Sequence, residues 1–326
     1  MKKFLAITLS VISAFAVFSF SACGKKAAKG ELSVYAPEGA PALSIAGFID
    51  EGYDFGTGAE VKYNVISASV LNAVVGNGDI IVMPINLASK SYMKNPDDPY
   101  KMAGVITHGN LYVMAKSEIS LEDLKGQVVG VANLSNVPGL TFKAVLSANG
   151  IDYEETDTPN QNFVALKNYS ASELKIALQN NVVTFGVLAE PTVTELTSVA
   201  SEYVAIDLQQ LYDAEKESYP QAVVMIKSSV IAKYPDLIGK FAEKTDGKVT
   251  WVKENPAAAL NALSGALAEG IVSSFTANNL TPQVVERCKI YWQSAADAKT
   301  EVIEYLNKIR LINAQAANEV NDGFFA

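Results

Sequence analysis

The chain of 326 residues is 49% hydrophobic and 19% charged, with 12 Pro and 21 Gly, a globular profile that excludes disordered, collagenous and disulfide-scaffold classes. Its length suits two domains, each able to bury a core. The formal charge of −9 and a pI near 4.8 exclude a protein that depends on gripping nucleic-acid phosphates, so no nucleic-acid partner is expected. Arg287 and Arg310 are the only arginines and His108 the only histidine. That rules out a His-rich metal centre, and neither metal nor cofactor is expected.

The N-terminus carries an address. Lys2 and Lys3 precede an apolar run from Phe4 to Phe20, followed by Ser21-Ala22-Cys23-Gly24. Small residues directly before a Cys at the end of such a run resemble the lipobox of bacterial lipoproteins. The resemblance implies a signal peptide over residues 1–22, cleavage before Cys23 and a diacylglycerol on its sulfur. The mature protein is then lipid-anchored on the extracytoplasmic side of the cell membrane, with residues 23–30 as lipidated Cys and tether. Losing two lysines and no acid takes the charge from −9 to −11. Cys288 is left without a disulfide partner. The spacing of Val284, Val285, Cys288, Tyr291 and Trp292 predicts a helix that turns Cys288 into the core.

Beyond the tether, strands and helices alternate. Glu31 to Ala36 reads as a strand, and Pro41 opens a helix to about Ile49. Val61 to Ile66 is a second strand, with Ser69 capping a short helix after it. The continuous apolar runs Ile80 to Met83, Val128 to Ala132, Val183 to Ala189 and Ala222 to Ile226 are those of parallel strands covered on both faces. Helices are predicted over Pro138 to Ala148, Ser170 to Leu178 and Glu190 to Val199. From Tyr234 the pattern turns helical, with restarts at Asn255-Pro256 and Thr281-Pro282 and a stripe of Val302, Leu306 and Ile309. This is α/β architecture with parallel sheets.

The strand Leu111 to Ala115 opens into a polar segment, and Ala222 to Ile226 precedes the helical tail. If both are crossings, residues 31–112 and 222–326 form one lobe and 113–221 the other. Ser120 to Gly130, with its Asp123-Leu-Lys-Gly126 core, resembles the segment that opens the second lobe of ABC-transporter solute-binding proteins. Ala189-Glu190-Pro191 is similar to the end of another of their elements, without its usual Asp. Tyr234-Pro-Asp-Leu237 and Trp251 to Pro256 resemble their tail. The type resembled is that of nitrate, sulfonate and thiamine-precursor binding proteins. The resemblance implies a type II periplasmic-binding-protein-like fold with two lobes, two hinge strands and a ligand in the interlobe cleft. It also implies a monomeric receptor, not an enzyme, that serves an ABC permease and ATPase. An enzyme of pyrimidine-precursor synthase type and a ligand-sensing lipoprotein are the alternatives.

Ligands of open parallel sheets sit outside the carboxyl ends of the strands, where helix N-termini present free amides. That rule selects the candidate site residues. In the first lobe they are Tyr35 to stack on a planar ligand, Gly39 and Ala40 for close backbone approach, Ser67, Asn86, His108 and Asn110. In the second they are Asn133, Ser135, Asn136, Gly139 and Glu190, with Gln221 beside the second crossing. Each has a plainer alternative as turn, cap or loop residue. No Arg lies before residue 287, so a guanidinium clamp on a carboxylate is not expected. A small oxyanion held by amides and hydroxyls, or a neutral heteroaromatic compound, remains. Arg287 and Arg310 are read as scaffold of the tail.

Overall fold

The structure, a computed structural model, describes residues 30–212 and 218–326. The expected signal peptide and the lipidation expected at Cys23 fall on residues outside those described. Among the described residues no helix is long and apolar enough to cross a membrane.

The chain begins β1 (Glu31–Pro37), α1 (Ala40–Glu51), β2 (Glu60–Ile66), α2 (Leu71–Val74), β3 (Ile80–Pro84), α3 (Ile85–Ser91) and β4 (Tyr100–His108). It crosses to β5 (Leu111–Ala115), β6 (Val128–Ala132), α4 (Val137–Ala148), β7 (Tyr153–Glu154) and β8 (Val164–Tyr169). Then come α5 (Ala171–Gln179), β9 (Phe185–Ala189), α6 (Thr192–Val199), β10 (Val204–Asp207) and α7 (Leu208–Tyr212). It returns through β11 (Pro220–Lys227), α8 (Ser228–Lys233), α9 (Leu237–Glu254) and α10 (Pro256–Ala266). The tail adds α11 (Pro282–Arg287), β12 (Ile290–Ser294) and α12 (Ala295–Ile312).

Two six-stranded sheets result, ordered β12-β4-β11-β3-β1-β2 and β10-β5-β9-β6-β8-β7. Each holds a parallel set, β2-β1-β3 in one and β7-β8-β6-β9 in the other. In each, the strand arriving from the other lobe is inserted antiparallel: β5 between β9 and β10, and β11 between β3 and β4. This is the two-lobed α/β fold expected, with two corrections. Ala222 to Ile226 is antiparallel to both neighbours, because continuous apolarity reports burial on both faces and not direction. The expected break points each cut a strand. Leu111 and Tyr112 pair with β9 of the second sheet, and Pro220 and Ala222 pair with β4 of the first.

Helices cover both faces of each sheet. In the first lobe α1, α9 and α10 pack together on one side, while α3 and α12 contact β11 and β4. In the second, α4 lies against β6 and β9, and α5 and α6 against β9. One apolar cluster runs through both lobes, joining Val105, Val223 and Tyr305 of the first to Val129, Phe142 and Val187 of the second. A second cluster fills the α1 side around Phe48, Phe55 and Phe241. Phe55 takes a left-handed φ of 55°, which costs about 1–2 kcal/mol. Its ring is only 1% exposed and stacks on Phe241 with centroids 5.2 Å apart; burial of that size returns about 1.5–3 kcal/mol, so the strain is tolerated.

The tail differs from its expected helix at one place. Cys288 caps α11 and is fully buried in the second cluster, but Tyr291 and Trp292 belong to β12. Ile290-Tyr-Trp-Gln-Ser294 has the aromatic and β-branched content of an edge strand. Thr281 caps α11 through Val284 N–H as expected. Ser67, not Ser69, caps the short turn after β2, its hydroxyl accepting from Ser69 N–H at 3.3 Å.

Candidate functional site

The two crossings come together at one spot. His108 pairs with Pro220 across β4 and β11, and Gly109 N–H donates to Tyr219 C=O at 2.9 Å. Asn110, 3% exposed, accepts through Oδ1 from Gln221 Nε2 at 2.9 Å. Buried Gln209 accepts from Leu111 N–H at 3.2 Å. A Cβ on Gly109 would stand 2.4 Å from two atoms of the Tyr219 ring and 2.8 Å from Gln209 Oε1. Only glycine lets the crossing pass so close to that ring.

His108 is the most constrained polar residue here. Its ring is 1% exposed and stacks on Tyr291 with centroids 3.6 Å apart and planes 5° apart. Nε2 lies 3.3 Å from Gln293 Oε1, and Gln293 Nε2 lies 3.4 Å from Glu301 Oε2. Burial pulls its pKa down to about 4, against the hydrogen bonds to Gln293 and Lys289. The ring is therefore neutral near pH 7.

Side chains tie the lobes together, three pairs of them by hydrogen bonds away from the crossings. Glu190, at the end of β9, accepts from Arg287 Nη1 of α11 at 3.2 Å and from Thr194 Oγ1 at 3.0 Å. Thr141 of α4 and Tyr305 of α12 share a hydrogen bond of 2.7 Å. Asn279, before α11, donates to Glu195 Oε1 of α6 at 2.7 Å. Beside this last contact a cavity of about 330 Å³ opens between Lys175 and Ser198 of one lobe and Thr276 of the other. Burial raises the pKa of Glu190, opposed by Thr194 and Arg287.

The reading of Arg287 as remote scaffold is thus corrected. Its guanidinium sits 5.8 Å from the Tyr112 ring and reaches a carboxylate of the opposite lobe. Arg287→Ala would leave the fully buried Glu190 side chain with Thr194 alone. It is expected to cost about 1–3 kcal/mol in urea denaturation. Arg310→Ala, whose partner Glu319 is 77% exposed, is expected to stay within about 0.5 kcal/mol. Equal losses from the two would contradict the interlobe role of Arg287.

The structure groups the candidate residues unequally. His108, Asn110, Glu190 and Gln221 gather at the crossings. Asn133, Ser135, Asn136 and Gly139 form the loop and first turn of α4, with the first three exposed. Asn133 has φ 59° and Asn136 is the N-cap, without a side-chain cap bond. Gly39, at φ 96°, and Ala40 open α1 beside Ser67, since Glu38 N–H donates to Ile66 C=O at 2.9 Å. Asn86 is turned to the tail, donating to Ala316 C=O at 3.2 Å. Tyr35 packs in mid-strand beside Gly78 and Ile81, at the amino end of β3. Both stand apart from the crossing cluster for that reason.

The sequence reading missed Gln209, Gln293, Tyr291 and Tyr305. Tyr291 was read in a helical pattern with Trp292, which hid that it shares one face of a strand with Gln293. Nothing in the sequence marks Gln209 as buried.

No family model matches the sequence, and no curated protein matches it. Solved structures do. An ABC transporter from Parabacteroides distasonis is 22% identical with a TM-score of 0.72, covering 91% of this chain and 99% of that one. The ligand-binding component of an ABC-type import system from Staphylococcus aureus is 11% identical at TM-score 0.61, covering 91% and 97%. The periplasmic aliphatic sulphonate-binding protein SsuA from Escherichia coli is 11% identical at TM-score 0.61, covering 87% of each chain. The chain has the two-lobed fold of these ABC-transporter binding proteins.

Proposed function

We propose that the protein is the extracytoplasmic solute-binding receptor of an ABC importer, anchored through Cys23 and delivering its solute to a permease and ATPase. It closes two lobes on a small organic compound or oxyanion. The supporting observation is the construction of the interlobe region. The chain crosses twice at adjacent points, and the lobes meet through hydrogen bonds that rotation about those points would break. A ligand that binds between the lobes shifts such an equilibrium by its extra affinity for the closed form. The likeness to transport proteins over nearly the whole chain supports the same reading. The loops of α1 and α4 supply backbone amides from one lobe each, and the crossings supply buried side chains.

The test is small-angle scattering of the mature protein, stripped of solute by unfolding and refolding. Addition of a solute found by native mass spectrometry of the protein from its own cells is expected to reduce the radius of gyration. A tightly bound solute that leaves the scattering curve unchanged overturns the closure mechanism.

A further inference from the structure

The contacts between the lobes fall into two groups of different character. Where α4 meets α12 the contact is apolar and deep. Thr141 and Tyr305 share their hydrogen bond fully buried, and the Tyr305 ring stacks on Tyr219 with centroids 5.4 Å apart and planes 3° apart. Both tyrosines belong to the apolar cluster that runs through the two lobes. Separating these surfaces would expose aromatic rings that bury about 150–250 Å² each. A rotation that keeps them together is much easier, so this group belongs to the pivot.

The second group is polar and lies between α6 and α11. Glu190 precedes α6 and Glu195 sits in its first turn, while Asn279 precedes α11 and Arg287 ends it. The two pairs they form are not equivalent. Glu195 already has a cation in its own lobe, Lys175 of α5, so the Asn279 amide adds one bond to a carboxylate that is neutralised without it. Glu190 has no such partner among the described residues of its lobe. Its side chain is fully buried, and among the described residues its hydrogen bonds come from Thr194 and Arg287 alone. Arg287 in turn is gripped by three strands of the second lobe. Besides Glu190 at the end of β9, the Tyr112 ring of β5 lies under its guanidinium, and the Tyr112 hydroxyl donates to its backbone C=O at 3.4 Å. Asp207, at the end of β10, is close enough for the charges of Lys289 and Arg287 to oppose the upward push that burial gives its carboxyl. Withdrawing Arg287 leaves a buried carboxylate without a counter-ion, which is far costlier than releasing a neutral amide.

We propose that Arg287 is a latch: as the counter-ion of Glu190 it holds the two lobes closed with no solute between them, and sets how readily the receptor opens to take one. This rests on the receptor reading and adds to it the resting state of the empty protein. A solute that meets a receptor poised closed binds more tightly, since closure is already favoured, and enters more slowly.

Spin labels, one on each lobe, test this without any solute. Val182→Cys, 66% exposed beyond α5, and Gly247→Cys, where a Cβ meets nothing within 4 Å, carry them. The host is the mature protein with Cys23→Ser, stripped as above; Cys288 is fully buried and stays unlabelled. The empty protein is expected to show one dominant distance. Arg287→Gln and Glu190→Gln should each add a longer one, moving the closed-to-open ratio about ten- to hundredfold, the loss of one charge-assisted hydrogen bond. The double variant should open no further than the more open single one, because both changes remove the same pair. Asn279→Ala, which leaves Lys175 on Glu195, should change the ratio by about threefold or less. A merely structural arginine would lower stability in urea and leave the distances of both variants matching the parent's, and that result overturns the latch. A longer distance that dominates in the unaltered empty protein overturns it too, and needs no variant to fold. Neither result touches the receptor reading, which is decided by contraction on adding its own solute.

Discussion

Replacing Gly139 by alanine is expected to be among the most damaging single changes in the chain. A Cβ there would lie 1.9 Å from Leu134 C=O oxygen and 2.4 Å from its carbonyl carbon and Cα. These are backbone atoms, so no rotamer change relieves the clash. The loop cannot retreat easily either. Asn133 N–H is bonded to Tyr169 C=O at 2.9 Å and Leu134 N–H to Asn168 Oδ1 at 2.8 Å. The helix must move instead, and α4 buries Leu140, Phe142, Val145 and Leu146. Overpacking that reaches backbone belongs at the upper end of the usual range, about 3 kcal/mol or more. Gly247 of α9, where a Cβ meets nothing within 4 Å, is the control. Gly247→Ala is expected to be neutral or to stabilise by up to about 1 kcal/mol. Urea denaturation of the two variants gives the comparison. A Gly139→Ala protein as stable as its parent would mean that the α4 loop is not seated as described.

Acid is expected to destabilise the protein through His108. Its folded pKa of about 4 lies below the unfolded reference of 6.5. As pH falls below about 6.5 the unfolded chain takes up a proton and the folded chain does not, so stability declines until about pH 4, where the folded ring also protonates. A shift of this size corresponds to about 3 kcal/mol over that window. His108→Phe keeps a ring against Tyr291 and removes the titration. The raised pKa values of Glu190 and Asp207 act in the opposite direction, because the folded state then holds the extra protons. They are common to both proteins and cancel in the difference. Denaturation at pH 7.5 and pH 4.5 should show the parent losing about 3 kcal/mol more than the variant. Parallel losses would mean that the ring is not buried in its neutral form.

What the sequence made legible was what local pattern controls. The apolar runs located β3, β5, β6 and β11 to within a few residues, because a strand covered on both faces must be apolar throughout. Pro41, Pro138, Pro256 and Pro282 marked helix starts, because proline fits the first turn. Direction was not legible: nothing in Ala222 to Ile226 says that it inserts antiparallel. Of the crossing group, His108, Asn110, Glu190 and Gln221 were legible as positions because they adjoin the ends of apolar runs. Its second half was not. Gln209, Gln293 and Tyr305 reach the crossings from distant segments, and Arg287 reaches Glu190 across 97 positions of sequence. Packing between remote segments writes no period into any one of them.

The insertion of each arriving strand inside the opposite sheet bears on the order in which the chain can assemble. The second sheet is drawn from one continuous stretch, β5 to β10. The first sheet is not, since β11 stands between β3 and β4 and β12 lies outside β4. A chain emerging from its amino end can complete the second lobe while β3 and β4 still face each other across a gap. Two unpaired strand edges, one of them the fully apolar Ile80 to Met83, then stay open to other chains. The first lobe, built from both ends of the protein, closes last, and the segment most exposed to misassembly is the one that waits for β11.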